Sequence, residues 1–99
     1  MKDRLDLHAL LKDICDNVYF QPPPSIKMVY PCIVYRRDDA VTDFANNNPY
    51  NYTRLYLVTV IDRDPDSLIP ALVKELPSCT FDRFYAADSL NHDVFRISF

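Results

Sequence analysis

Apolar residues recur at Leu7, Leu10, Leu11, Ile14, Cys15 and Val18, the spacing of one helical face. The pattern predicts a helix from Arg4 to Asn17, with Asp3 as its N-cap. His8 falls off that stripe, which predicts a solvated side chain. From Met28 to Arg36 the pattern becomes a strand, with Val29, Ile33 and Tyr35 pointing one way and Tyr30, Cys32 and Val34 the other. Proline donates nothing to a ladder, so Pro31 predicts an edge position or a bulge. Thr53 to Arg63 is the clearest strand, with Tyr56, Val58 and Val60 on one face and Leu55, Leu57 and Ile61 on the other. Two apolar faces predict a central strand covered on both sides, the second cover being the N-terminal helix or a neighbouring subunit. Ile69, Leu72, Val73 and Leu76 predict a short helix from Leu68 to Leu76, capped by Asp66 or Ser67, with Pro70 in its first turn and Pro77 as its stop. Cys79 to Ala87 and His92 to Phe99 complete the set as two strands joined by a turn around Asp88 to Asn91. Phe95, Ile97 and Phe99 share one face of the last strand, and Arg96 and Ser98 the other. The elements sum to two helices and four strands in a single domain, residues 1–99.

Two connections carry their own signals. Pro22 to Pro24 form a stiff extended segment, predicted to be a rigid connector between helix and sheet. Arg37 to Tyr52 is polar and contains the turn signal Asn46 to Pro49. It is predicted to be a long loop, and a loop of that length is functional or mobile.

Composition narrows the function classes. Ninety-nine residues fit one domain that hides roughly two-thirds of its unfolded surface. Seven tyrosines and six phenylalanines are a heavy aromatic share, suited to surfaces that bury area by assembling. The net charge of −3 comes without a basic patch, which argues against direct nucleic-acid binding. The N-terminus is too charged for a signal peptide, and no apolar run approaches membrane-spanning length. Cys15, Cys32 and Cys79 are odd in number and widely spaced, predicting free thiols rather than a disulfide frame or a zinc site. Asn51 begins a glycosylation sequon, which is a chance match without a secretion signal. There is no glycine. Phosphate-cradling P-loop and dinucleotide-binding sites are thereby excluded, and hairpin connections longer than two residues are expected.

Asp62, Asp64 and Asp66 are the one constellation with the look of a metal site. A calcium loop of the helix–loop–helix type would need glycine at its sixth position and glutamate at its twelfth, and Ser67 and Val73 stand there. A magnesium site would need further partners, for which Asp82, Asp88, His92 and Asp93 are candidates without any spacing that unites them. All three aspartates are also accounted for as punctuation: a strand end, a turn before Pro65, and negative charge at a helix start. Asn91 to Asp93 does not form a dyad, because adjacent strand residues face opposite ways, and His92 is expected in the turn. Neither a Ser–His–Asp nor a Cys–His arrangement stands out. The residues argue against an enzyme, against a bound metal and against a cofactor.

The elements run in the order N-terminal helix, Pro-rich connector, the YPCIVY strand, a long polar stretch, the RLYLVTVIDRD strand, an acidic turn, a short helix, and the final LPSCTFDRFYAADSLNHDVFRISF segment. In that order and in those segments the chain resembles the tail terminator or tail-completion proteins of long-tailed bacteriophages. The likeness is strongest at Tyr56 to Asp66, Leu76 to Phe84 and Asn91 to Phe95. The resemblance implies an α+β domain with a mostly antiparallel four-stranded sheet flanked by the two helices. It also implies a ring, often a hexamer, that caps the last tail-tube ring, stops polymerisation and presents a surface to the head connector. The implied partners are further copies of the chain, the tail-tube protein and the connector or stopper, and the implied location is the virion, reached through the host cytoplasm. Arg36, Arg37, Asp38, Asp39, Phe44, Tyr50 and Tyr52 are the candidate interface. The alternatives are a neck connector or stopper, and a small metal-dependent enzyme using Asp62, Asp64 and Asp66.

Overall fold

The computed structural model describes residues 3–45 and 48–99, with side chains described for residues 3–38 and 54–99. The first helix, α1, spans Arg4–Ile14. Asp3 caps it: its Oδ1 accepts the Leu5 amide at 3.1 Å, and its own amide donates to Asp6 Oδ2 at 3.2 Å. The helix stops earlier than the stripe predicted. Cys15 turns extended, and a short strand β1, Val18–Phe20, takes up residues whose spacing also fitted the helix. Sheet pairing overrides the helical pattern there, because β1 runs parallel to β2, Cys32–Ala45, with Val18 opposite Ile33 and Phe20 opposite Tyr35.

Strand β3 spans Asn48–Asp62, helix α2 spans Ile69–Lys74, and the strands β4 and β5 span Cys79–Ala87 and Leu90–Ser98. The sheet order is β1-β2-β3-β5-β4, antiparallel except for the β1–β2 pair. The domain is thus α+β, with five strands in a mixed sheet where four antiparallel-type strands were expected. No helix among the described residues is long and apolar enough to cross a membrane.

The two faces of the sheet have different covers. Leu7, Leu11 and Cys15 from the N-terminal segment and Val73 from α2 pack on Ile33, Tyr35, Tyr56, Val58, Val60, Phe95 and Ile97 to form the core. Burying such side chains contributes roughly 1.5–3 kcal/mol each. On the opposite face Cys32, Leu57, Ile61 and Val94 are also buried. The Pro-rich segment is not a link between helix and sheet, as expected, but the crossover between the parallel strands β1 and β2. It passes on the face away from the helices. Phe20 meets Tyr35 on the helix side, so Tyr19 alternates to the other side, where its hydroxyl accepts the Val29 amide at 3.1 Å. Pro31 precedes β2 across a cis bond from Tyr30, and β2 is paired on both sides from Ile33 to Tyr35. The edge position and the bulge expected at Pro31 are therefore absent from it.

The largest departure concerns Arg37 to Tyr52. Asn46 and Asn47 of the predicted turn lie outside the described residues, and on either side of them the predicted loop is strand: β2 and β3 pair out to Ala45 opposite Asn48, with register shifts between Arg37 and Ala40 and between Asp43 and Phe44. The β1 pairing ends at Tyr35 and the β5 pairing at Leu55. The Arg54 carbonyl still accepts the Phe99 amide at 2.9 Å; beyond it the two strands pair only with each other among the described residues, as a two-stranded ribbon. Its eight residues from Asp38 to Ala45 extend roughly 25 Å at about 3.3 Å each. The longest dimension of the molecule is 50 Å, against 26 and 23 Å for the others.

The second hairpin also departs from expectation. Ala87 pairs with Leu90, so only Asp88 and Ser89 connect β4 to β5, at φ of 54° and 63°. Two left-handed residues match the twist of paired strands, a conformation usually given to Asn-Gly. Asp tolerates it, but Ser89 carries a Cβ penalty that glycine would relieve. Ser89→Gly is expected to raise unfolding stability by about 0.5–1 kcal/mol, read from the urea midpoint at unchanged m-value.

Candidate assembly surface

The acidic turn folds onto its own backbone. Asp62 Oδ1 accepts the Asp64 amide at 3.0 Å, and Asp64 Oδ1 accepts the Asp66 amide at 2.9 Å. Each carboxylate thus closes an Asx turn on the backbone two residues ahead. Ser67 Oγ continues the series by accepting the Ile69 amide at 3.3 Å, one residue before the α2 cap at Leu68. Neither Asp66 nor Ser67 is the cap residue itself, since Leu68 occupies that position without a side-chain bond. Asn91 Nδ2 donates to the carbonyls of Asp62 and Arg63 at 3.1 and 3.3 Å, tying the turn to β5. Among the described residues no group of three or more His, Cys, Asp or Glu side chains is placed to hold a metal ion.

The other titratable groups are built into the fold. Tyr35 lies in the core with its hydroxyl 2.7 Å from His8 Nδ1 and 3.2 Å from Arg4 Nη1. Arg4 can only donate, so the phenolic oxygen accepts from Arg4, and the direction of its bond with His8 Nδ1 follows the imidazole tautomer. His8 is thus half-buried against Tyr35 rather than solvated as expected. Burial lowers its pKa, and the nearby Arg4 and Lys12 charges lower it further. Burial pushes the Cys32 thiol up to about 12, with Cys15 and Asp62 adding to the effect, so thiolate is scarce there. Cys15, Cys32 and Cys79 are all free thiols. His92 is a strand residue rather than a turn residue, stacked on Tyr85 at 4.5 Å. Asp93 faces the other way, and burial raises its carboxyl.

What the described residues present outward is exposed strand margin. Arg36, Arg37 and Asp38 sit where the ribbon leaves the sheet, and all three are exposed. Asp38 is engaged within the chain, 3.6 Å from Arg96. The Arg37 amide donates to Gln21 Oε1 at 3.2 Å. The side chains of Asp39, Phe44, Tyr50 and Tyr52 lie outside the described residues, although their backbone belongs to the ribbon strands.

The opposite margin was missed by the sequence pattern. Among the described residues eight large apolar side chains are exposed; Leu72 of α2 and Phe81, Phe84 and Tyr85 of β4 are four of them, and Leu68, which caps α2, is a fifth. Strand β4 is the terminal strand of the sheet, and past Cys79 all of its residues are exposed. The aromatic run FDRFY, apolar on both faces of a last strand, was the available signal. No protein-family model, curated protein or solved structure matches the chain.

Two measurements check this assignment. Asp64→Asn keeps an oxygen that accepts the Asp66 amide, so its urea midpoint should stay near that of the unaltered chain, while Asp64→Ala should fall below it. His8 should titrate by NMR below its ordinary 6.5. Its folded value lies below the unfolded one, so its contribution to stability is complete above 6.5 and is lost as pH falls through that window.

Proposed function

We propose that the chain is a ring-forming assembly protein of a phage tail, which caps the tail tube, ends its polymerisation and offers the head connector a docking surface. The reading joins the resemblance to tail terminator proteins with one structural observation, the ribbon formed by β2 and β3 beyond the limits of the sheet. A ring closes through head-to-tail contacts, in which one patch of each copy meets a different patch of the next. A ribbon that projects past its own sheet is suited to that geometry, because it can lie against the body of a neighbour while its own base stays fixed. Among the described residues its outer edges pair with no further strand, and Arg36 and Arg37 stand at its base. In this reading the ring is a hexamer, Asp39, Phe44, Tyr50 and Tyr52 of the ribbon contribute to contacts with the neighbour or the tube, and the protein works in the virion after assembly in the host cytoplasm. It needs no cofactor and reads no nucleic-acid sequence.

The metal-dependent alternative would have Asp62 and Asp64 ligate an ion while Oδ1 of each accepts a backbone amide at 3.0 and 2.9 Å, and among the described residues no group of three ligating side chains is placed to hold one. The stopper alternative shares the assembly chemistry and differs in position. Electron microscopy of particles assembled without this protein separates the two. Overlong tails free of heads are the result expected of a terminator. Tails of normal length beside heads that fail to join would assign the chain to the neck instead, and normal joined virions would refute both.

A further inference from the structure

The terminal strand β4 carries the sequence Phe81-Asp82-Arg83-Phe84, which reads as its own charge-complement in reverse. The structure makes this more than a pattern. Phe81 pairs with Phe95 and Phe84 with Asp93, and those two partners share one face of β5. A spacing of three would set Phe81 and Phe84 on opposite faces of a regular strand. The register shift between Phe81 and Arg83 inserts one residue, and both rings come to the helix face. There they are 51% and 53% exposed. Asp82 and Arg83 lie together at the bulge, 3.5 Å apart, with the Arg83 side chain 61% exposed and free to turn outward.

We propose that β4 is a self-recognition edge, occupied by β4 of a second copy of this chain in antiparallel pairing. A twofold axis normal to the sheet, passing between Asp82 and Arg83, keeps like faces together. It sets Phe81 of each copy opposite Phe84 of the other, and Asp82 opposite Arg83. The same register places Thr80 opposite Tyr85 on the far face. Every one of these pairs joins residues of matching face, and the bulge is the feature that makes them match. A strand edge with charges and a bulge is ordinarily blunted against pairing. Here both charges find their complements in a second copy, while an unrelated strand would leave them opposed to nothing. The contact does not use the β2–β3 ribbon, and it does not rest on the phage reading. If the chain also forms rings, the twofold contact would place two rings back to back or hold a dimer before ring closure.

The experiment uses sedimentation velocity on the full chain across a concentration series. The unaltered chain should show a reversible dimer. Asp82→Arg alone and Arg83→Asp alone put like charges opposite each other twice per dimer, and each should dimerise about tenfold more weakly. An equimolar mixture of the two single variants restores both opposite-charge pairs and should form a heterodimer, and the double variant Asp82→Arg/Arg83→Asp should dimerise like the unaltered chain. Circular dichroism establishes that each variant is folded. If either charge variant fails to fold, Phe81→Lys at its half-exposed position serves instead, and it should abolish the dimer. A strictly monomeric chain at the highest concentration, a dimer or ring indifferent to these changes, or a mixture that stays monomeric would overturn the proposal. An indifferent ring would overturn it while leaving the assembly reading intact.

Discussion

The structure depends on one constraint: β3 is paired on both sides and buried on both faces at once. From Leu55 to Ile61 its backbone runs between β2 and β5, while Tyr56, Val58 and Val60 face the helices and Leu57 and Ile61 face away. A one-residue slip would send each set to the wrong cover, so the register is held by packing as much as by hydrogen bonds. The rest follows from giving each face a lid. The helices α1 and α2 supply one, with Leu7, Leu11 and Val73 inserted into it. The crossover between β1 and β2 runs on the other side, pinned by Tyr19 and Val29. Small size sets the limit on this arrangement. Two helices with two and one fully buried residues cannot cover five strands, and β4 is left outside.

Burial decided how much was legible in the sequence. Leu7 and Leu11, the two faces of the central strand, Val73, Phe95 and Ile97 were visible because burial imposes a period on residue choice. Asp62 and Asp64 were legible as a strand end and a turn because an aspartate before proline has few backbone options, whereas the helix cap expected of Asp66 or Ser67 falls at Leu68. Strand β1 was hidden, since Val18 fits the helical stripe and three residues are too few to show alternation. The ribbon was hidden for a different reason. A two-stranded ladder is held by backbone hydrogen bonds, and residues such as Asp38, Asp39 and Asn48 carry no period that could announce it. The turn was legible around Asp88 to Asn91, but its two-residue form, Asp88 and Ser89, was not, because the absence of glycine pointed toward longer connections.

The parts that escaped the pattern are the parts with function in this account. The ribbon and the β4 margin lie at the limits of the sheet, where the domain's own packing makes few demands on them. Sequence at such places is free to answer to another molecule. The aromatic rings of Phe81 and Phe84 are expensive to expose to water, and their company on one face is produced by the bulge between Phe81 and Arg83. A protein that acts by assembly has a physical reason to keep such groups outward, and one that acts by chemistry at the acidic turn does not.

Amide hydrogen exchange tests this claim most directly, comparing the dilute chain with the assembled form at high concentration or on a tail tube. The account predicts new protection concentrated in the ribbon, residues 38–54, and in β4, residues 79–87, with little change over α1. Protection that instead appears over the acidic turn and α1 while both margins exchange as freely as before would contradict it.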